Sequence, residues 1–112
     1  MKFAAVIALA VLFYPAAMRA GEGADEIARG REFVLRNCSR CHAVEGAGES
    51  PHAKAPPFRR LGEKYPIEML AEALAEGIVV GHQDMPEFEL APPHIREVLS
   101  YIESIQSKPP IR

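Results

Sequence analysis

Two cysteines, the only ones in the 112-residue chain, stand at positions 38 and 41, and His42 follows at once. Two thiols and an imidazole within five residues commit that stretch to a tight turn, and the rest of the fold has to be built around whatever they hold. The demand is strong because the chain is small. A domain of this size buries a modest fraction of its surface and often needs a staple or a bound group to complete its core.

The spacing Cys38-Ser39-Arg40-Cys41-His42 is that of c-type haem attachment, C-x-x-C-H. Two thiols can add to the two vinyl groups of one haem. The two residues between them span that edge, and the next residue then lies over one face of the ring, where His42 can ligate the iron. Three other readings compete. A thiol oxidoreductase pair belongs beside a βαβ pattern, and none is visible. A structural zinc site wants four ligands, and the sequence has no second close Cys/His pair. A plain disulfide leaves His42 without a purpose.

The N-terminus differs from the remainder. After Met1-Lys2, Phe3 to Phe13 is an unbroken apolar run of 11 residues, ended by Tyr14-Pro15 and followed by small residues. That is the layout of a secretory signal peptide, and it is short for a membrane-spanning helix, which takes about 20 residues. We expect a signal over residues 1–20, cut near Ala20, and one domain over 21–112. An uncleaved anchor is the alternative. Removing Lys2 and Arg19 leaves 11 basic against 15 acidic residues, a net charge of −4. This argues against nucleic acid as a partner and is compatible with a partner bearing a basic docking patch.

Helical periodicity organises the rest. Asp25 is a candidate N-cap for a first helix ending near Asn37, and Gly30 within it suggests a close helix–helix crossing. Residues 43–62 are broken by Gly46, Gly48, Pro51, Pro56, Pro57 and Gly62. Pro66 opens a second helix, with Ile67, Leu70, Ala71 and Leu74 on one face and Gly77 as terminator. Pro92-Pro93 opens the last helix. Its Ile95, Val98, Leu99, Ile102 and Ile105 form the cleanest apolar stripe of the chain, and Pro109-Pro110 bounds it. No segment alternates strongly with period two. The expected class is all-α, three main helices packed around one haem.

Methionine opposite histidine is the usual ligation in cytochromes c. Outside the N-terminal segment the methionines are Met69, inside the second helix and suited to packing, and Met85, in a non-helical stretch before Pro86. His82 is a rival ligand from the same stretch. His52 and His94 read better as surface residues. From the residues alone the choice between Met85 and its rivals stays open.

The order of features resembles the class I, mitochondrial-type cytochrome c family, in particular its short bacterial periplasmic members. The resemblance rests on Gly30 and Phe33, Cys38-Ser39-Arg40-Cys41-His42, Pro56-Pro57-Phe58, Met85-Pro86 and Tyr101-Ile102, and it spans residues 25–106. It implies that Gly30 and Phe33 meet the last helix near Tyr101. It also implies that the Pro56 carbonyl, or that of Pro57, accepts from the second ring nitrogen of His42, and that Met85 is the second axial ligand. Arg59, Arg60 and Tyr65 become candidates for contacts to the haem propionates, with solvated charges and a packed ring as the competing reading.

The function so implied is one-electron transfer rather than enzymic turnover. The partners would be a redox donor and acceptor, such as a periplasmic dehydrogenase or a terminal oxidase, of which the chain could also be a bound subunit. A membrane would be met only through a retained leader or a membrane-bound partner. The alternative is a five-coordinate haem protein that binds or senses a gas or acts on peroxide.

Overall fold

No proline interrupts the sequence between Pro15 and Asn37, and helix α1 runs unbroken over Ala17–Asn37. The computed structural model describes residues 17–77 and 84–109. The expected N-cap is corrected: Asp25 lies inside α1. Gly21 and Gly23 upstream each cost about 1 kcal/mol of helix propensity, too little to stop a helix that continues into a packed segment. The leader assigned to residues 1–20 lies mostly outside the described residues.

The second apolar stripe forms two short pieces. Pro66 leads into a 3-10 turn over Ile67–Met69, and α2 follows over Leu70–Glu76. Gly77 ends α2 at φ 70°, a left-handed conformation that suits glycine, and its N–H donates to the Ala73 carbonyl at 3.1 Å. A further 3-10 segment, Phe58–Glu63, stands in the stretch expected to be irregular. Helix α3 covers Pro92–Ser104, with prolines where a missing N–H costs nothing. It ends before Pro109. Gln106 folds back there, donating from Nε2 to the carbonyls of Phe58 (2.7 Å) and Ile102 (2.9 Å) and accepting from the Gly62 N–H (2.8 Å). That side chain pins the 3-10 segment to the end of α3.

The all-α expectation holds: among the described residues the regular structure is helical, with no strand. Among them, no helix is long and apolar enough to cross a membrane. The buried cluster gathers Val34 from α1, Val44, Phe58, Leu61 and Ile67 from the connecting segments, and Val98, Tyr101 and Ile102 from α3. Tyr101 brings its hydroxyl inside and donates to the Val44 carbonyl at 2.7 Å, so its polar atom is satisfied in the core.

The α1–α3 crossing sets the frame. A methyl added at Gly30 would lie 1.9 Å from the Glu97 carbonyl oxygen and 2.9 Å from Tyr101 Cβ. Beside it, the side chain of Glu97 accepts from Arg29 at 2.7 Å and approaches His94 at 3.2 Å. The Arg29 hydrogen bond, against an opposing effect of burial, holds the Glu97 carboxyl below the usual carboxylate range.

Gly30→Ala should destabilise the protein by about 3 kcal/mol, the upper range for overpacking. Gly23→Ala, with nothing within 4 Å of the added methyl, should not. Thermal melting of the two variants checks this. Glu97 also makes a pH prediction. Its folded pKa lies below its unfolded value, so its stabilisation is present above about pH 4.3 and is lost as pH falls through the folded pKa. Acid titration of the melting temperature should show a shallower loss in Glu97→Gln.

Candidate functional site

The end of α1 builds the cysteine turn. Val34 O accepts from the N–H groups of Cys38 (2.8 Å) and Ser39 (3.2 Å). Asn37 Nδ2 returns to the Phe33 carbonyl at 2.8 Å, and the Ser39 hydroxyl returns to that of Leu35. The chain then tightens: Cys38 O accepts from the N–H of Cys41 at 3.2 Å and of His42 at 2.9 Å. The helix carbonyls that would be left without donors are thus used to curl the motif.

His42 is buried, 8% exposed, and its Nδ1 lies 2.8 Å from the Pro56 carbonyl oxygen. A carbonyl can only accept, so the ring proton sits on Nδ1 and the lone pair on Nε2. The Phe58 ring packs beside the imidazole, 4.8 Å between centroids at 45°. The loop that supplies Pro56 is itself tied in place, by Phe58 N–H to Ala43 O at 2.9 Å and by Ala43 N–H to Ser50 Oγ at 2.9 Å.

These residues open on an apolar cleft. Cys38, His42 and Pro56 line it, together with Leu70 and Leu74 of α2, Met85, Phe88, and Val98 and Ile102 of α3. An adjoining cleft shares Cys38, His42, Phe58, Met85 and Phe88 with the first, and Cys41, Arg36 and Arg40 line it alone. The sign of the two arginines is opposite to the net charge of the chain, so net charge is a poor guide to what docks there.

Both cysteines are free thiols. Burial, with a smaller effect of the neighbouring Cys41, pushes the Cys38 thiol up to about 11, so it stays protonated at neutral pH. A thiol of that kind is a poor thiolate nucleophile or zinc ligand. Among the described residues no three His, Cys, Asp or Glu side chains are grouped to hold a metal ion. The donors that do converge are two thiols, an imidazole of fixed tautomer and a thioether, set in apolar walls. That set fits a covalently attached haem.

The remaining candidates separate. Arg60 pairs with Glu63 at 3.1 Å and Arg59 donates to the Gly48 carbonyl, and neither lines the cleft, whereas Tyr65 does. For the two arginines the competing reading of solvated charges fits these contacts. His94 stacks on Phe33, centroids 5.9 Å apart, and Met69 is 65% exposed. His82 lies outside the described residues. Phe88 and Leu90 line the cleft although no helical period singles them out; their alternation with exposed Glu87 and Glu89 is the signal the sequence carries.

Residues 25–102 match the model of a protein family described as cytochrome c oxidase, cbb3-type, subunit III, a c-type cytochrome domain. Comparison with curated proteins and with solved structures gave no match.

The Nδ1 tautomer is testable. The imidazole proton of His42 should be visible by proton NMR and slow to exchange with solvent. It should persist in Pro56→Ala, which keeps the carbonyl, with a stability change of about 1 kcal/mol or less. Rapid exchange in the parent protein would contradict the bond.

Proposed function

We propose that this chain, which belongs to the family described as cytochrome c oxidase, cbb3-type, subunit III, is an exported one-electron carrier with a single haem held by Cys38 and Cys41 and ligated by His42 and Met85. The observation that carries the reading is that Cys38, Cys41, His42 and Met85 line one cleft, and that three of them, Cys38, His42 and Met85, also line the apolar cleft adjoining it. Family membership supports haem-based electron transfer in general.

Haem would supply a one-electron iron couple. The chain's own residues explain how such a couple would be tuned. Covalent links from the Cys38 and Cys41 thiols would prevent loss of the group. The hydrogen bond from His42 to Pro56 orients the imidazole and raises its basicity. A thioether from Met85 favours the reduced state and so raises the potential. The leucine, phenylalanine and valine walls would give the group apolar surroundings, and His42 and Met85, if both hold the iron, would leave no place for a substrate. The role is that of a carrier, not an enzyme.

The docking face in this reading is the cleft beside Cys41, whose Arg36 and Arg40 suit an acidic patch on a partner. The family description supports a terminal oxidase as a redox neighbour, and a periplasmic dehydrogenase is the other class that could supply electrons. Residues 1–20 would direct export to the periplasm, leaving the domain 21–112.

Mass spectrometry of protein from a haem-maturing host should show one covalent haem and a start near residue 21. The ferrous form should take up carbon monoxide slowly. Met85→Ala should accelerate uptake by about tenfold or more, the factor contributed by each ~1.4 kcal/mol of lost ligation. A parent protein that reacts as fast as Met85→Ala would favour an open, gas-binding iron.

A further inference from the structure

We propose that His52 is a positioning residue, a strut that joins the segment carrying Cys41 to the segment carrying Met85 and so holds the sulphur side of the cleft in place. The proposal rests on the reading of Met85 as a ligand. His52 is held by its own backbone: its N–H donates to the Cys41 carbonyl at 3.1 Å, and its carbonyl accepts from Ala55 at 3.1 Å. Its ring reaches outward. Nδ1 accepts from the Lys54 backbone N–H at 3.1 Å, so the ring proton sits on Nε2, which donates to Asp84 Oδ2 at 3.0 Å. A neutral imidazole satisfies both contacts at once.

Asp84 immediately precedes Met85. Two hydrogen bonds through one histidine therefore connect Cys41, the neighbour of His42, to the neighbour of Met85. The link joins residues 32 apart in sequence. Among the described residues, the next backbone tie on this segment is Leu90 N–H to Leu74 O at 2.8 Å, five residues beyond Met85. His52 thus fixes the near end of a short apolar strip that Phe88 and Leu90 fix by packing at its far end. The histidine is 28% exposed and the aspartate 68%, so the tie is partly screened by solvent. It biases the position of Met85; it does not decide whether the chain folds.

The haem-loaded full chain tests this. In the ferrous protein, His52→Ala and Asp84→Ala should each accelerate carbon monoxide uptake about fivefold, the effect of losing one charge-assisted hydrogen bond at a partly exposed site. The double variant should be no faster than either single one. His52→Gln, which keeps a donor and an acceptor, should restore a rate close to the parent. Weakened methionine ligation should also lower the reduction potential of His52→Ala, a change that general destabilisation would not produce. A His52→Ala protein with the parent rate and potential, while Met85→Ala is fast, overturns the strut. If the parent is already as fast as Met85→Ala, the methionine reading fails instead. The strut is then judged by amide hydrogen exchange at residues 84–88: faster exchange in His52→Ala supports it, and unchanged exchange overturns it.

Discussion

Helices α1 and α3 can cross as closely as they do because residue 30 has no side chain: the Glu97 carbonyl oxygen occupies the place a methyl would take. The other features follow from that contact. It brings Val34 and Tyr101 into one core, and Tyr101 in turn holds the Val44 carbonyl. Val44 follows the cysteine turn by a few residues, so the crossing fixes both ends of the motif, α1 before it and Val44 after it. Between those fixed ends the turn has little freedom, and His42 is delivered to the Pro56 carbonyl in one tautomer. Packing chemistry far from the cleft thereby decides the orientation of the imidazole within it.

The helical frame was legible in the sequence. The stripe Ile95, Val98, Ile102 names the buried face of α3, and the C-x-x-C-H spacing names three groups that meet at the cleft. Three things were not legible, each for a physical reason. The start of α1 was misplaced because an aspartate that could cap a helix can also sit inside one, and only packing decides. The 3-10 segment at Phe58–Glu63 has no period long enough to detect, and its position depends on Gln106, 44 residues beyond Gly62. Arg59 and Arg60 lie beside buried Phe58 and Leu61, yet their guanidinium groups turn to Gly48 and Glu63 rather than to the cleft. Neighbourhood in sequence does not fix the direction of a long flexible side chain.

Charge shows the same separation between the whole and the site. The chain carries more acidic than basic residues, which by itself favours a basic partner. The cleft beside Cys41 carries arginines instead, and the carboxylates of the second stripe, Glu68, Glu72 and Glu76, lie on the exposed side of the α2 region. Over distances of about 8–10 Å, the Debye length at physiological salt, local charge governs docking more than net charge does. An electron carrier of this form would present opposite signs on different faces, and the face beside Cys41 is the one nearest the group it would carry.

The central claim is that one iron is gripped from two sides, by His42 and by Met85. Methionine methyl NMR of the ferrous, haem-loaded protein with labelled methyl groups measures this most directly. The account predicts one methyl resonance shifted far upfield by the porphyrin ring current, lost in Met85→Leu and kept in Met69→Leu. Methionine methyl groups that all resonate in the ordinary range would contradict it.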